Sequence, residues 1–175
     1  MHTRWTQIVY GKYTGYAAAA FLLPFIPPRF PAGDPADYVR SLGKVVGTYT
    51  TRLPSADDFI PTIEKTWYDN GISLRYLTGY ESYSETIWLP VEFEKAFVLA
   101  RLLSRNSELL SPLDPMPMHS ASPTPKDGRS IFTFAPDRSM YRPSLIRFEW
   151  CDGGCQSVEI RDEDGETSIT FAGWI

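Results

Sequence analysis

Two glycine-containing turns near the C-terminus constrain this chain more tightly than any other feature. Asp152-Gly153-Gly154 reads as a three-residue hairpin loop with glycine at the left-handed position, and Asp164-Gly165 as a two-residue type I′ turn. Each turn sets a register. The first puts Cys151 opposite Cys155, Trp150 opposite Gln156, Phe148 opposite Val158 and Ile146 opposite Ile160. The second puts Ile160 opposite Ile169 and Val158 opposite Phe171. Both registers generate the same apolar face, with rows Ile146–Ile160–Ile169 and Phe148–Val158–Phe171. A slip of one residue in either would turn these side chains to the wrong side. A three-stranded meander is therefore predicted, burying Trp150 with these two rows. Arg147 falls opposite Glu159 on the other face, a favourable cross-strand charge pair. Glu163 opposite Glu166 is a misfit that a turn tip tolerates.

The same arithmetic places both cysteines in one row with Trp174, on the face that carries Arg147, Glu149, Glu159 and Arg161. A zinc site wants four nitrogen or sulfur ligands, and the rest of the chain adds only His2 and His119. A dithiol redox site usually has two intervening residues and a helix N-terminus that lowers the thiol pKa; here there are three residues and a hairpin. The pair is expected as reduced neighbouring thiols, with a cross-strand disulfide as the lesser alternative. No metal ligand set is assigned.

At 175 residues, 43% hydrophobic and 22% charged, the chain can bury a sizeable core and reads as a single domain over 1–175. Its net charge of -4 and lack of any Lys/Arg cluster argue against nucleic acid as the main partner. An acidic surface suits a basic protein partner better. The apolar run over 16–26 is about half the ~20 residues of a spanning helix, and Pro24 interrupts it. As a signal peptide it lacks a small-residue cleavage pattern. The run is expected as buried core structure in a cytoplasmic protein without a membrane partner, and two cysteines agree with a reducing compartment.

Along the chain, Trp5–Tyr10 reads as a short strand. Asp34-Pro35 opens a helix, with Asp34 as cap and Pro35 at the first helical position. Tyr38, Leu42, Val45, Val46 and Tyr49 continue it at helical spacing. A second helix start follows at Ser55, with Asp57 and Asp58 in its first turn. Its apolar face is Phe59, Ile60, Ile63 and Trp67, and Asn70-Gly71 ends it. Residues 72–80 alternate as a strand, and 85–89 turn back to pair with it. Pro90 opens a helix over 91–105, with Phe93, Ala96, Phe97, Ala100 and Leu103 as its stripe. Residues 106–128 contain five prolines and read as a surface loop or binding arm. A strand over 130–135 and a turn at Pro136-Asp137 precede the meander.

No motif identifies a chemistry. The acidic run Asp162 to Glu166 lacks the alternating ligands and length of a calcium loop. Met116 to His119 holds soft metal ligands, but in too short a cluster. Neither histidine is placed beside a nucleophile, and there is no nucleophile elbow or phosphate loop. Asp57/Asp58 and Glu92/Glu94 are paired carboxylates, but at helix starts, where acids usually cap. No catalytic residue and no cofactor is assigned. The polar turn around Tyr80, Glu81, Tyr83 and Glu85 is the candidate binding site, because tyrosines combine large contact area with a polar end.

The predicted fold is α+β: about three helices on one face of a mainly antiparallel sheet ending in the meander. This element order, two helices, a hairpin, a helix and then consecutive strands, is similar to the cone-shaped fold of nuclear transport factor 2-like proteins. The similarity implies a pocket between helices and sheet. Three functions follow as expectations. The first is a protein-binding module acting by occlusion, such as a cytoplasmic immunity or antitoxin-type inhibitor of a basic toxin. The second is a small-molecule-binding or pocket enzyme domain. The third is a structural subunit whose proline arm and apolar N-terminus make the contacts.

Overall fold

The computed structural model describes residues 5–10, 12–18, 34–54, 59–104, 109–111, 114–121, 129–134, 143–163 and 166–174. In chain order the elements are β1 (Trp5–Tyr10), β2 (Tyr13–Ala18), α1 (Pro35–Leu42), β3 (Val45–Arg52), β4 (Thr62–Tyr68), β5 (Ser73–Gly79) and β6 (Ser82–Leu89). Then come α2 (Phe93–Leu103), β7 (Arg129–Phe134), β8 (Leu145–Cys151), β9 (Cys155–Glu163) and β10 (Glu166–Trp174). β1 and β2 pair only with each other. The remaining strands form one antiparallel sheet in the order β3-β4-β5-β6-β10-β9-β8-β7. It consists of two four-stranded meanders, each preceded by a helix and joined through their last strands, β6 and β10.

The protein is thus mostly β, with two helices among the described residues, and the predicted three helices on a sheet are corrected. The first predicted helix begins as expected, with Asp34 Oδ1 accepting the Ala36 N–H at 2.8 Å, but it stops at Leu42. Val45, Val46 and Tyr49 belong to β3. The second predicted helix is β4 over Thr62–Tyr68, while its proposed start at 55–58 lies outside the described residues. Val45 to Tyr49 and Ile63 to Trp67 are each four apart, a spacing that suits a helix face and also one side of a strand. Composition decides between the two. Val45, Val46, Thr48, Thr50, Thr51, Thr62, Ile63 and Thr66 are β-branched and pack better on a pleated surface. The cone-shaped arrangement falls with the missing helix and the eight-stranded sheet.

The C-terminal meander has the predicted register at every pair, from Cys151–Cys155 to Glu163–Glu166. Gly153 holds φ 68°, the left-handed loop position. The turn at 164–165, and the one at 136–137, lie outside the described residues. Ile146, Ile160 and Ile169 are buried in one row that continues through Ile87 of β6 to Leu74 of β5. The next row changes character: Phe148–Val158–Phe171 runs on as Glu85–Tyr76–Glu64. α2 covers the apolar half, burying Phe93, Ala96, Phe97, Ala100 and Leu103 as its stripe predicts, with Phe97 6.3 Å from Phe148. α1 adds Val39 to the same core and stands over the polar half.

The described parts of the proline-rich stretch are tied to this body. Leu109 and Leu110 are buried in the core, Asp114 pairs with Arg129, and Ala121 bridges Ile131 on the edge strand β7. By contrast, the β1–β2 hairpin exposes Trp5, Val9, Tyr13 and Tyr16. Tyr16 therefore departs from the predicted buried run, and residues 19–26 of that run lie outside the described residues. No helix among the described residues is long and apolar enough to cross a membrane.

The register makes a paired prediction in urea unfolding. Phe148→Ala, on the buried face, should lower stability by about 3–5 kcal/mol. Phe132→Ala, on the neighbouring strand β7 but 48% exposed on the opposite face, should lower it by less than about 1 kcal/mol. Equal losses would contradict the assignment of faces.

Candidate functional site

Pairing of β6 with β10, and of β10 with β9, brings two hairpin tips to the same end of the sheet. One is the Tyr80-Glu81 loop between β5 and β6, and the other is Asp152-Gly153-Gly154 between β8 and β9. The end of β10 lies between them, with Trp174 paired to Ser82 on one side and to Cys155 on the other. A cleft of about 400 Å³ opens there, and Glu81, Tyr83, Trp150, Asp152, Gln156 and Trp174 contribute to its lining. Its size falls within the range of ligand pockets.

Local backbone chemistry holds this end together. Glu81 adopts φ 53°, a left-handed conformation uncommon for any residue but glycine. Such strain is retained where the surroundings impose it, and it clusters at binding sites. The ring of Tyr83 lies across Gly173, where an added Cβ would stand 2.6 Å from the ring Cε1. Only glycine fits beneath that ring. At the second tip Cys151 and Cys155 form a disulfide across a Cα–Cα distance of 4.1 Å, which corrects the expectation of reduced thiols. Directly opposed strand residues are close enough for the bond, so the register that brings the thiols together also permits their oxidation.

On the outer face the guanidinium of Arg147 lies 5.8 Å from the Trp174 ring. Arg147 and Glu159 are directly opposed, as predicted, but each pairs along its own strand: Arg147 with Glu149 at 2.7 Å and Arg161 with Glu159 at 3.0 Å. Residues two apart on a strand share a face, so each arginine and its glutamate lie side by side on the outer surface.

The four predicted contact residues separate. Glu81 and Tyr83 line the cleft. Tyr80, 72% exposed, turns to the flank, where its ring meets Phe59 edge-on at 6.2 Å. Glu85 is 6% exposed on the helix-facing side and has no place on a docking surface. It lines a polar cavity of about 300 Å³ under α1, together with Arg40, Glu64 and Tyr76. Near that helix, burial pushes the Tyr38 hydroxyl up to about 12 and raises that of Tyr68, against the opposing pull of Arg40. Both hydroxyls therefore stay protonated at neutral pH. Glu92, one of the paired carboxylates, is held below its usual range by a hydrogen bond from Lys95 at the start of α2. Among the described residues no group of three or more His, Cys, Asp or Glu could hold a metal ion.

Trp150, Asp152, Gln156 and Trp174 were not legible as site residues. Their strand pairs are local, but the β6–β10 pairing that sets them beside Glu81 and Tyr83 joins residues 82–89 to 167–174. The signal present was Trp174 in the cysteine row, outside the apolar face. Comparison with known protein families, with curated proteins and with solved structures finds no match for this chain.

Relieving the strain at Glu81 should raise stability. Glu81→Gly is expected to gain up to about 1 kcal/mol in urea unfolding, part of the relief being offset by the freer unfolded glycine. A loss above that size would show that the Glu81 side chain carries structural contacts. Replacing both cysteines by serine should cost at most about 2 kcal/mol, because the disulfide closes only a short loop. The near-ultraviolet circular dichroism of Tyr83, Trp150 and Trp174 should persist in that variant.

Proposed function

We propose that this chain is a protein-binding module acting by occlusion, of the immunity or antitoxin type, with a basic protein as its partner. The cleft between the hairpin tips carries this reading. It combines two acids at its rim, Glu81 and Asp152, with Tyr83, Trp150 and Trp174. Such a combination suits a lysine or arginine from a partner, whose stem packs on aromatic rings while its charge meets a carboxylate. Charge of this kind speeds encounter, whereas buried aromatics hold the complex. Tyr80 extends the same surface at the flank.

A cytoplasmic setting is part of the proposal. There the Cys151–Cys155 bond would be reduced. The Gly153 loop and the two apolar rows support the same hairpin register without it. A second reading, a small-molecule-binding domain, draws support from the polar cavity under α1, whose Arg40, Glu64, Tyr76 and Glu85 could fix a compact polar ligand.

The test is binding kinetics against the protein captured from the native host. Tyr83→Ala should raise the dissociation rate by about tenfold or more, as loss of a buried aromatic anchor does. Glu81→Lys with Asp152→Lys should slow association and flatten its dependence on salt. A partner that binds all these variants unchanged would remove the cleft from the interface.

A further inference from the structure

On the sheet face turned away from both helices, β4 and β5 set Lys65 directly opposite Arg75. Like charges at opposed positions destabilise a sheet unless something compensates them. Among the described residues the other two arginines of this face are matched, Arg147 by Glu149 and Arg161 by Glu159. Among the described residues neither Lys65 nor Arg75 forms an ion pair with an acid. The next acid along their row is Glu159, three strands from Arg75 and about 14 Å away, and it is held by Arg161.

What surrounds the two cations is aromatic. Lys65 Nζ lies 5.2 Å from the Trp67 ring and 4.9 Å from that of Trp88, and the Arg75 guanidinium lies 5.3 Å from Trp88. The indole faces attract and orient both groups without neutralising them. Arg75 Nε is enclosed and makes no hydrogen bond. Tyr49, opposite Lys65 on β3, and Trp67 leave large apolar surfaces exposed beside the charges. A chain of net charge -4 thus concentrates two uncompensated cations between two tryptophans.

We propose that Lys65 and Arg75 form a binding site for a small ligand carrying an oxyanion, phosphate or carboxylate, on an aromatic or apolar body. The ammonium supplies a compact positive charge, and the guanidinium supplies N–H donors matched to paired oxygens. The body of the ligand lies against Trp67 and Tyr49. Arg75 is four residues from Gly79, about 13 Å along β5 from the cleft, so this site stands or falls independently of the proposed protein interface.

The experiment is thermal unfolding of the full chain at fixed ionic strength, with inorganic phosphate or phenyl phosphate replacing chloride. A ligand that binds the native state raises Tm in a saturable way. Phosphate should do so, and phenyl phosphate should reach half-saturation at about tenfold lower concentration through its ring. Arg75→Gln and Lys65→Gln should each move half-saturation by phosphate upward about tenfold or more. Arg147→Gln, whose partner is Glu149, should leave it unchanged. Should Arg75→Gln fail to fold, Lys65→Gln and the charge-keeping Arg75→Lys provide the comparison, with circular dichroism confirming their fold. A wild-type Tm that follows ionic strength alone overturns the site. So does a phosphate response that survives unchanged in the folded Gln variants. Equal half-saturation for the two phosphates overturns the aromatic part of the proposal.

Discussion

The antiparallel pairing of β6 with β10 is the contact on which the rest of the structure depends. Each meander alone would leave its last strand with a row of unpaired backbone groups. Joined from Leu89–Thr167 to Ser82–Trp174, the two meanders form one sheet, and Ile87 and Ile169 meet in its buried row. A cross-strand hydroxyl contact, Thr170 to Thr86 at 3.1 Å, marks the same seam on the opposite face. The pairing also decides what lies at the end of the sheet. Because Trp174 reaches Ser82, the Tyr80-Glu81 and Asp152-Gly153-Gly154 loops stand on either side of one strand end.

The two sides of the sheet then take different roles. Under α2 the inner face is apolar, and burial of Phe148, Val158 and the isoleucine row supplies the main stabilisation. Towards β4 the inner face becomes polar, with Glu85, Tyr76 and Glu64 in the row that Phe148 begins. The outer face keeps charges and tryptophans together: Arg147 beside Trp174, and Lys65 and Arg75 beside Trp67 and Trp88. Cations stacked on indoles can serve sheet stability as well as binding, so uncompensated charge, more than the stacking, distinguishes the second group.

Sequence reasoning succeeded where a short-range signal specifies a long-range outcome. The loop at 152–154 and the Asp-Gly signal in the sequence between β9 and β10 specify cross-strand partners directly, and α2 shows its stripe without any competing pattern. It failed where apolar residues four apart satisfy both periods, as at Ile63 and Trp67, so that β-branched composition was the better guide. The repeated order of a helix followed by four strands was invisible, since the halves share topology without shared motifs. The candidate cleft was half legible. Turn chemistry marked Glu81 and Tyr83, but the pairing that adds Trp150, Asp152 and Trp174 spans most of the chain.

Convergence of the two tips through β6–β10 pairing is the central claim, and the Tyr83–Gly173 contact reports it most directly. Nuclear Overhauser spectra of the isotope-labelled chain should show strong cross-peaks between the Tyr83 ring protons and the Gly173 α-protons, because the ring lies across that glycine. The Gly173 α-protons should also be displaced in frequency by the ring current. Absence of these cross-peaks, with Tyr83 instead contacting the outer-face neighbours of Ser82, would contradict both the β6–β10 register and the cleft built on it.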